Sequence, residues 1–196
     1  MRNYRVLLFG HSYIRDLQNL GHKEIVVDDK FTVELEYLFK AGGTVAHYWK
    51  HKEILDPLIA SSPDVLFIFL GGNDLRTDWD IYDTISAYKN LVLYLSSKLS
   101  GVPIICSYIE PRFALPEGPY HTPDQSVYKS YARKFNNWLK KFDVPYCKFL
   151  TWGSNRLENK ELFKRDGVHL NQQGLFILWD LLEDLLIKVV DTCYNL

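Results

Sequence analysis

The chain is short of several things, and each shortage excludes a class of protein. It has three cysteines, Cys106, Cys147 and Cys193, an odd number without zinc-type spacing. Neither a disulfide scaffold nor a cysteine metal centre is expected, and buried free thiols in a reducing compartment are the simpler reading. Charge of one sign is missing too. The formal net charge is −1 with a pI near 6.6, so no global field draws the chain to nucleic acid or anionic membrane. No apolar run approaches the roughly 20 residues of a membrane-spanning helix. The first strand pattern begins almost at Met1, leaving no room for a signal peptide, and a cytoplasmic location is the expectation. Repeats, low-complexity tracts and linkers are also lacking.

What is present is a globular composition: 47% apolar, 15% aromatic and 24% charged over 196 residues. That length suits one well-buried domain, 1–196, better than two.

Short apolar runs alternate with amphipathic ones. Tyr4–Gly10 reads "YRVLLFG", a continuous run of the kind buried on both faces of a parallel sheet. Phe31–Phe39, Asp64–Gly72, Val102–Ile109 and Pro145–Leu150 complete five candidate strands. Between them, Ile81, Ile85, Tyr88, Val92, Leu95 and Leu99 recur at steps of three and four. Val127, Tyr131, Phe135, Trp138 and Phe142 do the same. A last helix is expected after Asn171, a good N-cap, carrying Leu175, Leu178, Leu182, Leu185 and Val189. The alternation argues for βαβ units, right-handed crossovers and a mostly parallel sheet. Glu110–Pro123 has four prolines and no period, and reads as a long loop.

Open parallel sheets bind ligands beyond the carboxyl ends of their strands. The first strand is followed there by Gly10-His11-Ser12, the second by Ala41-Gly42-Gly43-Thr44, and the third by Gly71-Gly72-Asn73-Asp74. Asp166-Gly167-Val168-His169 precedes the last helix. Together these suit acyl transfer. A serine hydroxyl needs an imidazole to take its proton, and the imidazole needs a carboxylate to fix its tautomer. The developing oxyanion needs preorganised donors, which glycine N–H groups and an asparagine amide can supply. His11 is poorly placed as the base, because adjacent side chains point apart. His169, from a separate loop, can approach Ser12 freely, and Asp166 lies within one turn of it.

The ordered set Gly-x-Ser, Gly, Gly-x-Asn-Asp and Asp-x-x-His resembles the SGNH (GDSL-type) hydrolases over nearly the whole chain. The resemblance implies a three-layer α/β/α sandwich, flavodoxin-like, with a five-stranded parallel sheet. It also implies ester hydrolysis through an acyl-enzyme, without cofactor or metal. By position, Ser12 is the nucleophile, His169 the base and Asp166 its orienter. The oxyanion hole comprises Ser12, Gly42 and Asn73, with Gly43 the alternative to Gly42. The family usually has Asp where this chain has His11, a change that alters the hydrogen bonds around the serine turn. Chains reading Gly-His-Ser resemble a divergent branch, some members of which accompany mobile-element proteins.

Taken singly, each residue has a plainer reading. Ser12 would be a helix N-cap, Asn73-Asp74 an Asx turn, His169 a structural histidine and Gly42-Gly43 a bend. The constellation, not any member, carries the esterase reading. His47 and His51 stand four apart but lack the Glu and third ligand of a zinc site, so no metal is expected. Lys129, Arg133, Lys134, Lys140 and Lys141 make one helix basic, and a solvated face is the default over a nucleic-acid surface. Of the aromatics, Trp49 and Trp152 read as core or groove alike. Trp79 and Tyr120 are better groove candidates, and His11, Gly43 and Asp74 are further candidates to contact substrate. Small carboxylic esters are the expected partners. The competing readings are a binding module of this fold within a larger or mobile-element-encoded assembly, favoured by His11, and acyl transfer to an acceptor other than water.

Overall fold

The computed structural model describes residues 2–27, 29–76, 79–113, 124–144, 148–153 and 155–194. The chain opens with strand β1 (Arg2–Gly10), helix α1 (Ser12–Gln18), β2 (Glu24–Val27) and β3 (Phe31–Phe39). Two short helices follow, α2 (Val45–Lys50) and α3 (Asp56–Ser61), and then β4 (Val65–Phe69) and the long α4 (Ile81–Lys98). The remainder is β5 (Ile104–Ser107), α5 (Gln125–Leu139), β6 (Phe149–Trp152) and α6 (Gln172–Tyr194).

The strands form one sheet in the order β2-β3-β1-β4-β5-β6. The five expected strands are all present and run parallel, with β1 and β4 at the centre. Their order is the flavodoxin-like one, reversing direction beside β1. The sheet has six strands rather than five: β2 pairs antiparallel with β3, Ile25 opposite Val33. Four residues joined to β3 by a tight turn are too short for an alternation pattern, although Ile25-Val26-Val27 is β-branched, as strands prefer. Of the last expected strand, Pro145–Cys147 lies outside the described residues, and β6 ends two residues later than expected, at Trp152.

Central strands are apolar throughout because both faces are covered. In β1, Val6 and Leu8 face α1 and α6, packing with Ile14, Leu17, Leu178 and Leu182. Leu7 and Phe9 face the other way, against Leu58, Tyr88 and Val92 of α3 and α4. These residues are at most 4% exposed, and at about 25 cal/mol per Å² such burial dominates the stabilisation of the sheet. The last helix begins as expected, with Asn171 Oδ1 accepting the Gly174 N–H at 3.0 Å. Among the described residues no helix is long and apolar enough to cross a membrane.

Register sets up the site. Gly10 at the end of β1 is level with Phe39 of β3 and Phe69 of β4. The segments after these three strands therefore leave the sheet at one height.

Candidate active site

Ser12 is the first residue of α1, two positions beyond the β1 terminus. The turn between them is tight because Gly10 has no side chain: a Cβ there would press into the Phe69 carbonyl oxygen and lie 2.9 Å from Ile14 Cγ1. His11 caps α1, its Nδ1 accepting the Tyr13 N–H at 3.4 Å. A carboxylate could accept that N–H in the same way, so the imidazole takes over a capping task rather than leaving it undone. The ring packs at 5.4 Å edge-on to both Tyr13 and Phe69 and is only 4% exposed. Burial, with the nearby Arg112 and His169, lowers its pKa to about 3. The ring is therefore neutral, and with Nδ1 accepting, its proton sits on Nε2.

The other half comes from the turn before α6. Asp166 Oδ1 accepts the N–H groups of Val168 and His169, both at 2.9 Å. Its Oδ2 lies 2.8 Å from His169 Nδ1. Burial raises the carboxyl pKa, but the two N–H groups and the His169 ring outweigh it and bring the value down to about 2. Across the rim, His169 Nε2 lies 3.0 Å from Ser12 Oγ. A second bond ties the two halves together, Tyr13 OH donating to the Val168 carbonyl at 2.6 Å. Serine, histidine and aspartate thus form one hydrogen-bonded line from elements more than 150 residues apart.

The turns after β3 and β4 leave the sheet level with the end of β1. Gly42 has a positive φ of 68°, which glycine adopts without strain. The Gly43 N–H closes that turn on the Lys40 carbonyl at 2.9 Å. Asn73 Nδ2 donates to the Gly43 carbonyl at 3.1 Å, joining the two turns. Its Oδ1 accepts from Arg112 Nη2 at 2.7 Å.

The remaining candidates are placed differently. Asp74 is 1% exposed, and its oxygens accept the N–H groups of Val45 (3.0 Å) and Ala46 (3.3 Å) at the start of α2. Burial pushes its carboxyl up to about 7 against those donors. His11, Gly43 and Asp74 all hold loops in place through these bonds. Trp79 is half-buried before α4, its N–H on the Arg76 carbonyl. Tyr120 lies outside the described residues, as does most of the Glu110–Pro123 loop. Trp152 packs on Phe67 at 5.6 Å, and Trp49 lies under Lys52 Nζ at 3.8 Å. His47 Nε2 meets Lys40 Nζ at 2.7 Å, and no cluster of three metal-ligating side chains occurs among the described residues.

Two residues at the site escaped the sequence. Arg112 follows the fourth parallel strand, whose end was not counted on the rim, so its signal was available in "EPRF". Tyr13 carried no signal, because a tyrosine early in an amphipathic helix looks like any core residue.

The GDSL-like Lipase/Acylhydrolase family profile matches residues 28–175, well over half the chain. The protein belongs to this family. It is therefore an ester-hydrolysing enzyme, and small-molecule esters are its class of substrate. The match covers the glycine, asparagine and Asp-x-x-His segments but begins after the Gly-His-Ser turn, where the chain departs from the usual Gly-Asp-Ser. Solved structures agree on the fold. A carbohydrate esterase family 3 protein from Talaromyces cellulolyticus superposes with a TM-score of 0.68 at 14% identity, covering 96% of this chain and 99% of that one. An acetyl esterase serine-to-alanine mutant with an acetate ion gives 0.66 at 12% identity, with the same coverage. The psychrotrophic esterase EstA from Pseudoalteromonas sp., inhibited by monoethylphosphonate, gives 0.62 at 15%, again covering 96% and 99%. No curated protein sequence matches the chain.

Proposed function

We propose that the protein, as a single SGNH domain over 1–196, is a serine esterase acting on acetyl and other short-acyl esters through an acyl-enzyme on Ser12. The observation that carries this reading is the unbroken line from Ser12 Oγ through His169 to Asp166, at 3.0 and 2.8 Å. In this reading Ser12 Oγ attacks the ester carbonyl while His169 Nε2 takes its proton. Asp166 holds the ring in the tautomer with Nδ1 protonated and stabilises the imidazolium. The carbonyl oxygen becomes an oxyanion, the imidazolium protonates the leaving alkoxide, and the alcohol departs. Water then attacks the acyl-enzyme, His169 takes its proton, and the carboxylic acid leaves as Ser12 is regenerated.

Three donors suit the oxyanion. The Ser12 N–H, at the first position of α1, has no acceptor one turn earlier in its helix. The Gly43 N–H is already bonded to Lys40, which favours Gly42 as the donor of the doublet. Asn73 has a second N–H beyond the one bonded to Gly43.

Short acyl groups are the first to test, because one structural relative is an acetyl esterase. The assay is hydrolysis of p-nitrophenyl acetate, butyrate and octanoate by wild type and Ser12→Ala. The reading predicts turnover that is best with the shortest chain and lost in the variant. Equal rates in the two proteins would remove Ser12 from the mechanism.

The departure at His11 and the family match beginning at residue 28 favour a second reading: a weakly active binding module of the divergent Gly-His-Ser branch, working within a larger or mobile-element-encoded assembly. A neutral His11 in the capping position speaks against a damaged site. Slow turnover by wild type with tight retention of an ester ligand would favour this alternative.

A further inference from the structure

Arg112 has no place in the reaction described above, yet it touches a group that does. Its Nη2 lies 2.7 Å from Asn73 Oδ1. A guanidinium has only donors, so whatever faces it must accept. The contact therefore fixes which way the Asn73 amide points. With Oδ1 turned to Arg112, the NH2 group faces the Gly43 carbonyl at 3.1 Å, and its second N–H is left for the oxyanion. Without that partner, an asparagine in a loop between two glycine turns could rotate and present oxygen, which repels an oxyanion.

The guanidinium is itself held. It lies over the face of Tyr128, 4.9 Å from the ring centre. Tyr128 is 2% exposed and donates its OH to the Glu110 carbonyl at 3.3 Å. The Arg112 carbonyl accepts from Gln125 Nε2 at 3.2 Å. Gly72 leaves room for the arrangement: a Cβ there would stand 3.4 Å from Arg112 Nη2 and 3.3 Å from the Tyr128 hydroxyl. A planar cation stacked on a buried ring has lost most of its freedom, so little remains to be lost when it bonds the amide.

We infer that Arg112 is a positioning residue for the oxyanion hole, fixing the Asn73 amide with its N–H toward the oxyanion and strengthening that N–H as a donor. The strengthening follows from charge. A cation on the amide oxygen draws electron density from the nitrogen, and hydrogen bonds in such a chain reinforce one another. The effect is felt where negative charge develops, so it raises kcat more than it lowers KM. The inference rests on Asn73 acting as an oxyanion donor, as proposed above.

The test is a double-mutant cycle on p-nitrophenyl acetate hydrolysis, with Arg112→Met, Arg112→Lys, Asn73→Ala and the two combined variants. Asn73→Ala is expected to lower kcat by about 100- to 1,000-fold. Arg112→Met is expected to lower it by roughly 10- to 100-fold, the scale of one charge-assisted hydrogen bond, with KM within about twofold. In the Asn73→Ala background the same change has no further effect, because the amide it positions is gone. Arg112→Lys recovers part of the loss, since an ammonium donates without the stacked fork, and it serves as the folded variant if Arg112→Met melts early. Equal losses in both backgrounds would show a general structural role, and a change confined to KM would show a substrate contact. Either result overturns the inference. Loss of the wild-type rate in Ser12→Ala but no change in either Arg112 variant would sink this inference alone. Full activity in Ser12→Ala or Asn73→Ala would instead remove that residue from the proposed mechanism on which the inference rests.

Discussion

Tyr13→Phe tests whether the nucleophile and the base are held in register by the bond between their elements. The Tyr13 hydroxyl donates to the Val168 carbonyl at 2.6 Å, and both residues are at most 7% exposed. Burial raises the phenol pKa well above its ordinary range, with Glu110 adding to the effect, so the hydroxyl remains a donor at any working pH. The ring stacks on Phe69 at 5.1 Å, and phenylalanine keeps that packing. The change therefore removes one hydrogen bond and strips a buried carbonyl of its donor, a cost of about 1–2 kcal/mol. For a chain of this size that is a fall in Tm of roughly 2–8 °C. Val168 is the neighbour of His169, so slack there lengthens the 3.0 Å approach to Ser12. A loss of about tenfold in kcat is expected, on the scale of a sub-ångström misplacement. Calorimetry and ester-hydrolysis kinetics on the same preparation measure both. Unchanged Tm and kcat would refute the latch, and a lower Tm with unchanged kcat would reduce it to a stability bond.

Three further changes probe separate parts of the account. Asp166→Asn is expected to lower kcat by about four orders of magnitude with little effect on KM, through loss of the His169 tautomer; a drop under about tenfold would mean the carboxylate serves only the turn. Gly10→Ala should cost roughly 1–3 kcal/mol through the clash with the Phe69 carbonyl and displace Ser12, so both Tm and activity fall; a fully active, equally stable variant would contradict the tight β1–α1 turn. Glu110 is buried, and its Oε1 has no partner among the described residues. Burial, with Glu158 adding, raises its pKa from 4.5 to about 8. Between those values the unfolded chain releases a proton that the folded chain keeps, so wild type loses stability as pH rises from about 4.5 to about 8. Glu110→Gln removes that contribution, at most roughly 3–5 kcal/mol, and its advantage over wild type should grow across this range and level off above it. Parallel stability curves measured by denaturant titration would show that Glu110 is not a buried neutral acid.

Much of this was legible in the sequence for a physical reason. Central strands covered on both faces must be continuously apolar, so "YRVLLFG" and "DVLFIF" announce themselves, and a parallel sheet sends their loops to one rim. That is why Ser12, Gly42, Asn73, Asp166 and His169 can be grouped before any coordinate is known. β2 was hidden because an edge strand of four residues has no period to read. The purpose of His11 was hidden as well, since capping by an imidazole depends on burial that lowers its pKa, and burial is a property of the assembled core. The structural task of Asp74 was hidden for a related reason. A carboxylate beside a site asparagine looks like chemistry, yet its oxygens hold the start of α2, from a segment 28 residues away. Arg112 could have been found by counting the fourth strand end, but its bond to Asn73 exists only because Tyr128 holds the guanidinium in place.

The central claim is that Ser12 is an activated nucleophile, and covalent capture tests it most directly. Wild type and Asp166→Asn are treated with a fluorophosphonate, digested, and the modified residue located by mass spectrometry. The account predicts stoichiometric labelling of wild type at Ser12 and nowhere else, with much slower labelling in the variant that lacks the carboxylate. A wild-type protein that remains unlabelled at Ser12, or is labelled at another serine, would contradict it.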